Sequence, residues 1–205
     1  MIGEFIHDEA AHTYHWNGQR VISITDTLAD QGFVDYSKIP AGIREFALLR
    51  GKEVHKATAL LDEGRLQWSS LSEKVEWEGK ERWWTLNYVL AYPNFKKELK
   101  AKPAVREQPF YDPVYGYAGR PDWFGEIFCG PAVIQLKTGA VEPWVGLQTA
   151  AEDRLLREAG HKATKRLGVE LRPDGTFKPT WFKDSMDFKI FLSALACSKW
   201  RSNHR

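Results

Sequence analysis

Gly119-Arg-Pro-Asp122 and Ile134-Gln-Leu-Lys137-Thr-Gly139 are the two stretches that decide the fold of this chain. Each lies in a largely apolar run, 117–124 or 132–137, that predicts a short strand. The segment between the two runs contains Gly130-Pro131, which predicts a turn. The two strands are therefore expected to pair as a hairpin.

This hairpin would bring three polar side chains together. If the turn is centred near Phe128 and Cys129, Asp122 lies opposite Gln135, and alternation along the strand places Lys137 on the face of Gln135. A carboxylate, a carboxamide and an ammonium group then project from a rigid sheet. Such a set suits a divalent metal held against a phosphodiester. Hard cations take oxygen ligands, and a neighbouring cation orients water or stabilises developing charge.

Four ordered stretches of the sequence resemble motifs of the PD-(D/E)XK nuclease superfamily, and within it the phage-type and RecB-like exonucleases. They are Arg50-Gly-Lys-Glu-Val-His55, similar to the helix-borne rGxxvH; Gly119-Arg-Pro-Asp122, similar to GxxD; Ile134-Gln-Leu-Lys137-Thr-Gly139, in the place of hDhKTG; and Leu147-Gln148-Thr-Ala-Ala-Glu152, in the place of QxxAY. Weaker similarity joins residues 21–28 to the phage motif lpSVTxiL and residues 107–110 to Expv. The resemblance covers nearly the whole chain in family order.

The resemblance implies an α/β (α+β) fold with a restriction-endonuclease-like core, in which helices flank a central mixed β-sheet. It implies a divalent-metal-dependent DNA exonuclease, of the kind that serves phage recombination or replication, with Mg²⁺ or Mn²⁺ as cofactor. The metal ligands would be Asp122, Gln135, the Leu136 carbonyl and His55. Lys137 would act on the attacking water or on the charge that develops at phosphorus, so the catalytic residues would be Lys137, Asp122 and Gln135.

Two positions depart from the family pattern. Gln135 stands where the family has an acidic residue, and Glu152 stands where it has tyrosine. A carboxamide oxygen can ligate Mg²⁺ or Mn²⁺ but brings no negative charge, so metal affinity should fall. Glu152, one helical turn after Gln148, is an accessory candidate that could supply the missing charge, and Glu107 is a second accessory candidate. Two other functions remain open: a catalytically weakened nucleic-acid-binding module on the nuclease fold, and a structure-specific endonuclease.

Each candidate residue also has a purely structural interpretation. Asp122 could cap a turn, Lys137 could lie on an edge strand, and Gln135 could face solvent. A lone helical histidine such as His55 is often a hydrogen-bonded core or surface residue. Glu107 could be the partner of an arginine, and we favour that interpretation from the sequence alone.

The distribution of charge indicates where DNA would bind. The net charge is only +2 over 205 residues, so local clusters matter more than the sum. The stretch 154–166 is expected to form a basic helix that holds the phosphate backbone without reading sequence, although charge runs are usually solvated faces. The predicted DNA-binding residues are Gln148, Arg154, Arg157, Lys162, Lys165 and Arg166. Trp144 and Trp123 lie close enough to the motifs to stack on a base.

Composition excludes several other classes of protein. The two cysteines have no CxxC spacing, which argues against zinc and iron–sulfur sites. Sparse cysteine, the lack of an apolar run near the ~18 residues of a membrane span and the lack of a signal pattern predict a cytoplasmic protein. For a phage-encoded chain this means the host cytoplasm. The expected partners are DNA and a phage single-strand annealing or replication protein, with no membrane and no iron–sulfur cluster.

The pattern of turns and apolar residues predicts one domain over residues 1–205, in which 1–100 holds an N-terminal hairpin and helices and 101–205 holds the core sheet and a C-terminal helix. Hairpins are expected over 12–24 and 169–182, and helices over 23–28, 40–63, 73–100, 143–159 and 186–200. The helix over 73–100 is inferred from an aromatic stripe close to i, i+4 spacing, formed by Trp77, Trp84, Tyr88 and Tyr92. A further strand is expected over 105–111. Strands that follow each other directly, with helices on both sides, are not typical of a doubly wound sheet.

Overall fold

A computed structural model describes residues 3–35 and 37–204 of the chain. In chain order, its elements are β1 (Phe5–Asp8), β2 (Thr13–Trp16), β3 (Gln19–Val21), α1 (Ile24–Asp30), α2 (Ala41–Asp62), β4 (Lys74–Trp77), β5 (Lys80–Trp83), α3 (Leu86–Leu99), β6 (Lys102–Arg106), β7 (Phe110–Asp112), β8 (Tyr117–Gly119), β9 (Trp123–Ile127), β10 (Gly130–Lys137), α4 (Val145–Glu158), β11 (Lys165–Leu171), β12 (Phe177–Phe182) and α5 (Asp187–Asn203). A 3₁₀ turn covers Trp68–Ser70. The fold is mixed α/β, as the sequence predicted.

The central sheet has five strands in the order β12-β11-β10-β9-β6. The β10–β11 pair is parallel and the other pairs are antiparallel, so the sheet is mixed. The predicted hairpin about residues 128 and 129 is confirmed, with Ile127 opposite Gly130 and Trp123 opposite Ile134. Asp122 therefore lies just before β9, one residue ahead of the Trp123–Ile134 pair.

Helices cover both faces of this sheet. On one face, α2 and α3 contribute Val54, Tyr92 and Phe95 to a core shared with Trp123 and Ile134. On the other face, α4 packs against α5 and α1. Burial on both sides explains why β10 reads as a nearly continuous apolar run.

The N-terminal predictions are confirmed and extended. The β2–β3 hairpin turns at Asn17-Gly18, and β1 adds a third strand that the sequence did not reveal. Ser23 caps α1, because its hydroxyl oxygen accepts a hydrogen bond of 2.9 Å from the Asp26 amide. The helix predicted over 40–63 is α2.

The helix predicted over 73–100 is wrong in its first part. Residues 74–83 form the β4–β5 hairpin, and α3 begins only at Leu86. Glu78 and Gly79 both have positive φ, 50° and 72°, as a two-residue hairpin turn of the primed type requires. The indole spacing suggested a helix, but alternation of exposed and half-buried residues in Lys-Val-Glu-Trp marks a strand. Pro93 lies inside α3, within the range predicted to be helical.

Three other boundaries differ from the prediction. The strand expected over 105–111 is split into β6 and β7 around Glu107, and that expected over 117–124 is split into β8 and β9 around Arg120. The stretch 154–166 is not one basic helix, because α4 ends at Glu158 and β11 begins at Lys165. The first two breaks free Glu107, Arg120 and Asp122 from strand pairing, and all three line one cleft.

In the described part of the chain, no helix has the length and apolar character needed to span a membrane.

Candidate metal centre

A cleft of about 240 Å³ opens where β10 ends. Its wall includes Tyr14, Ser23, Ile24 and Thr25 from the N-terminal region. Its functional groups are the side chains of His55, Glu107, Arg120, Asp122, Gln135, Lys137, Gln148 and Glu152. The cleft therefore unites all four sequence motifs and both accessory candidates.

His55 reaches the cleft from the middle of α2. Its Nδ1 lies 3.0 Å from Glu107 Oε1 and 3.5 Å from Asp122 Oδ1, and its Nε2 lies 3.0 Å from the Leu136 carbonyl oxygen. Carboxylate and carbonyl oxygens both accept hydrogen bonds, so this geometry favours the ring with a proton on both nitrogens. Burial opposes this charge, but Asp122 and Glu107 outweigh it and raise the pKa of His55 above its ordinary value.

Glu107 lies just after β6 with a backbone φ of +48°, an unusual conformation for a residue other than glycine. This conformation directs its carboxylate between His55 and Arg120, whose Nε lies 3.1 Å from Glu107 Oε2. Burial opposes the negative charge, but the hydrogen bond and charge of His55, with Arg120, lower the pKa of Glu107. Glu107 is thus both the arginine partner that we favoured and a member of the acidic cluster.

Asp122 is buried just before the start of β9, with 7% of its surface exposed. Its Oδ2 accepts a hydrogen bond of 2.9 Å from the Leu136 amide, which fixes the carboxylate against β10. Burial raises the pKa of Asp122 most strongly, and His55 opposes that rise. One ligand atom each from His55, Glu107 and Asp122 lies within 4.8 Å of the other two, a spacing that can hold one metal ion.

Gln135 and Lys137 join a chain of hydrogen bonds that ends on α4. Lys137 Nζ donates to Gln135 Oε1 at 3.0 Å and to Gln148 Oε1 at 3.4 Å. Gln135 Nε2 donates to Glu152 Oε1 at 2.7 Å, and Gln148 Nε2 donates to the same oxygen at 3.0 Å. Gln135 and Lys137 do share one face of β10, as alternation predicted. Gln135 is fully buried and does not face solvent.

Glu152 is the most unusual group of the cleft. Only 1% of its surface is exposed, yet among the described residues its Oε2 has no hydrogen-bond partner. Burial, and after it the Asp122 charge, raise the pKa of Glu152 well above the ordinary value. A buried carboxylate oxygen without a partner is costly, and a cation in the cleft would remove that cost.

Three of the predicted DNA-binding arginines have internal partners. Arg154 Nε lies 2.9 Å from Asp112, Arg157 Nε lies 2.8 Å from Asp153, and Arg166 Nη2 lies 2.9 Å from Asp187. Lys165 pairs with Ala132 at the opposite end of β10 from Lys137, about 16 Å away along the strand. Lys162 is exposed between α4 and β11. DNA contact by these residues stays a prediction.

Two arginines near the site were given no role from sequence. Arg50 Nη2 donates to the Thr138 carbonyl at 3.0 Å, and its guanidinium lies 4.6 Å from the centre of the Tyr88 ring. Arg50 thereby holds the turn that follows Lys137. Arg120 lines the cleft itself. Both arginines belong to the motifs that carry the resemblance, Arg50-Gly51 and Gly119-Arg120. This position in the motifs could have identified them as residues of the site.

The two tryptophans named for base stacking differ. Trp123 is fully buried in the core, so the prediction that it stacks on a base is wrong. Trp144 is half-buried, and Lys137 Nζ lies 5.4 Å from the centre of its ring. This places Trp144 beside the cleft, where it helps to hold the lysine.

Comparison with known proteins adds no assignment to this geometry. Neither a protein-family model nor a curated protein sequence matches the chain. The function must therefore be argued from the cleft.

Proposed function

We propose that this protein is a divalent-metal-dependent deoxyribonuclease, an exonuclease with a restriction-endonuclease-like core that takes Mg²⁺ or Mn²⁺. The observation that carries the proposal is the unpartnered, buried Oε2 of Glu152 in a cleft that also holds Asp122, Glu107 and His55. Three carboxylates and one imidazole converge around one lysine. A purely structural polar cluster would be expected to satisfy each buried oxygen.

The donor set fits a hard or borderline divalent ion. Carboxylate oxygens suit Mg²⁺ and Mn²⁺, and an imidazole nitrogen favours Mn²⁺. In the metal-free protein the protonated His55 supplies the positive charge beside Glu107 and Asp122. A bound ion would replace that charge and expel the proton from the ring nitrogen that ligates it. His55, Glu107 and Asp122 would hold the ion, and Glu152 would supply the charge that Gln135 lacks.

The residues of the chain have separable tasks in phosphodiester hydrolysis. A bound divalent ion supplies an activated water and stabilises charge on the phosphate oxygens. Asp122 is fixed by the Leu136 amide, so its position is set before substrate arrives. Lys137 Nζ is held by Gln135 and Gln148, two neutral acceptors that leave its charge uncompensated by direct contact. That ammonium group is thus placed to orient water or to stabilise the pentacovalent charge.

The test is digestion of end-labelled linear DNA with Mg²⁺, with Mn²⁺ and with chelator. We expect release of labelled mononucleotides or short fragments only with metal. Lys137→Ala should reduce the rate at least about 100-fold while DNA binding stays within a few-fold, because the ammonium acts on charge that develops in the transition state. Lys80→Ala, the same change at an exposed lysine at the start of β5 and outside the cleft, is the matched control and should cleave at the wild-type rate.

Other results of the same digestion would contradict the proposal. Metal-independent cleavage, or a Lys137→Ala rate above about one tenth of wild type, would remove this cleft from the mechanism. DNA binding without any cleavage would favour the non-catalytic binding module. Cleavage of a circular single strand would favour the structure-specific endonuclease.

A further inference from the structure

We propose that Arg120 binds a phosphate of the substrate at the mouth of the cleft, and that Glu9 occupies the same guanidinium group in the free protein. The inference rests on the proposed function, because it takes DNA as the substrate. Arg120 would be an additional substrate-binding residue, and its ion pair with Glu9 would compete with the substrate.

The position of Arg120 is set by the break between β8 and β9. It lies in the three-residue segment between Gly119 and Trp123, two residues before Asp122. Its side chain is 27% exposed and lines the cleft. The guanidinium group of Arg120 therefore contacts Glu107, one of the proposed metal ligands, and is also accessible from solvent.

The negative charges of the cleft would repel a phosphate unless a basic group offset them. Glu107, Asp122 and Glu152 place three carboxyl groups around the space that a phosphodiester must enter. Lys137 is engaged deep in the cleft by Gln135, Gln148 and the Trp144 ring. Arg120 is the other strongly basic side chain that lines the cleft in the described part of the chain. Arg120 therefore offers an incoming phosphate a second positive charge, in addition to that of Lys137.

Arg120 keeps donors free for a phosphate. Its Nε lies 3.1 Å from Glu107 Oε2, and the Glu107 side chain is only 20% exposed. The remaining donors lie on the two terminal nitrogens, and a planar guanidinium matches two oxygens of one phosphate. The Glu107 contact thus orients the group and leaves its outer edge available.

Glu9 is the competitor for that outer edge. Its Oε1 lies 3.6 Å from Arg120 Nη1, and its side chain is 82% exposed in the turn between β1 and β2. A distance of 3.6 Å is too long for a good hydrogen bond, and exposed ion pairs of this kind are weak. A phosphate can displace Glu9, and the displaced carboxylate moves into solvent.

The test measures DNA affinity in the Lys137→Ala background with Mn²⁺ present, by fluorescence anisotropy of a labelled single-stranded oligonucleotide whose integrity is checked on a gel. Arg120→Gln should weaken binding about tenfold, the loss expected for one charged phosphate contact. Glu9→Gln should tighten binding about twofold to threefold, because a weak exposed ion pair is removed. In the Arg120→Gln background, Glu9→Gln should change nothing.

Two controls separate a phosphate contact from general electrostatics and from a structural role. Glu4→Gln removes an exposed negative charge just before β1, and its effect should be the same with Arg120 or Gln at position 120. Oligonucleotides that carry one neutral methylphosphonate at successive positions should reveal one phosphate whose neutralisation weakens binding only when Arg120 is present. A residue that merely held Glu107 in place would show no such position.

The outcomes also distinguish this inference from the proposed function. Equal binding by Arg120 and Gln variants, or a Glu9→Gln effect that persists without Arg120, would overturn the inference. If binding depends on Arg120 as described but the wild-type protein cleaves no DNA, the phosphate site stands and the nuclease proposal fails. If the wild-type protein cleaves DNA and no methylphosphonate position depends on Arg120, the nuclease proposal stands and the phosphate site fails.

Discussion

At the scale of single residues, the hydrogen bond between Gln135 and Glu152 determines the charge of the site. Gln135 Nε2 lies 2.7 Å from Glu152 Oε1, so the amide on the strand and the carboxylate on the helix form one unit. In the family that the sequence resembles, the acidic residue stands on the strand. Here an acidic side chain, Glu152, stands on α4 instead, and it interacts electrostatically with Asp122.

This pairing predicts the result of Gln135→Glu. The substitution removes the amide donor and sets two carboxyl groups against each other, so the metal-free protein should lose thermal stability. Divalent binding should tighten by about 1–2 kcal/mol, from one added charge in a partly screened site. Thermal unfolding with chelator and calorimetry with Mn²⁺ measure the two effects. A substitution that changes neither quantity would show that Gln135 has no part in the metal site.

The combined change Gln135→Glu with Glu152→Gln is the matched control, since it exchanges the two residues and keeps both the charge and one amide donor. It should recover most of the lost thermal stability. Recovery no better than that of Gln135→Glu alone would mean that the two side chains do not act as a pair.

The raised pKa of Glu152 predicts a pH dependence for the metal-free protein. A carboxyl group whose pKa is higher in the folded chain binds more protons when folded, so the free energy of unfolding falls as pH rises above the ordinary glutamate value of 4.5. His55, whose pKa is also raised, acts in the same direction above 6.5. Between about pH 5 and about pH 8, Glu152→Gln should therefore lose less stability than wild type. Thermal unfolding in chelator checks this, and equal losses in both proteins would contradict it.

The residues on the strands could be located from sequence, whereas their contacts with helices could not. Turn position fixed the register that brings Asp122 to Gln135, and alternation placed Lys137 beside Gln135. The rotation of α4 about its axis has no such local signal, so Glu152 was only an accessory candidate and its hydrogen bond to Gln135 was not predicted. Two interpretations of Glu107 were open, and its single side chain serves both, in contact with His55 and with Arg120.

At the scale of elements, short breaks in strands build the site. The break after β6 frees Glu107, and the break between β8 and β9 frees Arg120 and Asp122. The sequence predicted continuous strands at both places, because apolar residues stand on either side of each break. Hairpins with Asn-Gly or Asp-Gly turns were found correctly, since those turns have a strong local signal. The Glu78-Gly79 turn was missed because tryptophans at helical spacing surround it.

The alignment of β6 with β9 gives a prediction at this scale. A Cβ atom on Gly125 would lie 2.1 Å from the Lys102 carbonyl oxygen and 2.9 Å from Pro103 Cα, so β6 must move if residue 125 gains a side chain. Gly125→Ala should destabilise the fold by about 2 kcal/mol, the usual cost of such overpacking, which lowers the unfolding midpoint by about 4–8 °C. Gly139→Ala meets no atom within 4 Å and should leave the midpoint unchanged. Equal midpoints for the two variants would contradict the β6–β9 packing.

At the scale of the whole molecule, the cleft depends on several distant parts of the chain. His55 comes from α2, Asp122 and Gln135 from the β9–β10 hairpin, and Glu152 from α4. The sheet between the helix layers holds these groups at fixed spacing, so the site forms only when the mixed sheet and both layers assemble. A basic DNA-binding helix was expected at this scale. Instead, Arg154, Arg157 and Arg166 tie α4 and its neighbours together, and the positive charge nearest the cleft comes from Lys137 and Arg120.

The most direct test of the central claim, that this cleft holds a divalent ion, is a calorimetric titration with Mn²⁺ that involves no DNA. Wild type should bind Mn²⁺ with measurable heat, and Asp122→Asn should bind at least about tenfold more weakly, because the carboxylate between His55 and β10 becomes neutral. Asp174→Asn, the same change in the exposed turn before β12, should bind like wild type. No heat with wild type, or equal affinity in Asp122→Asn, would contradict the account.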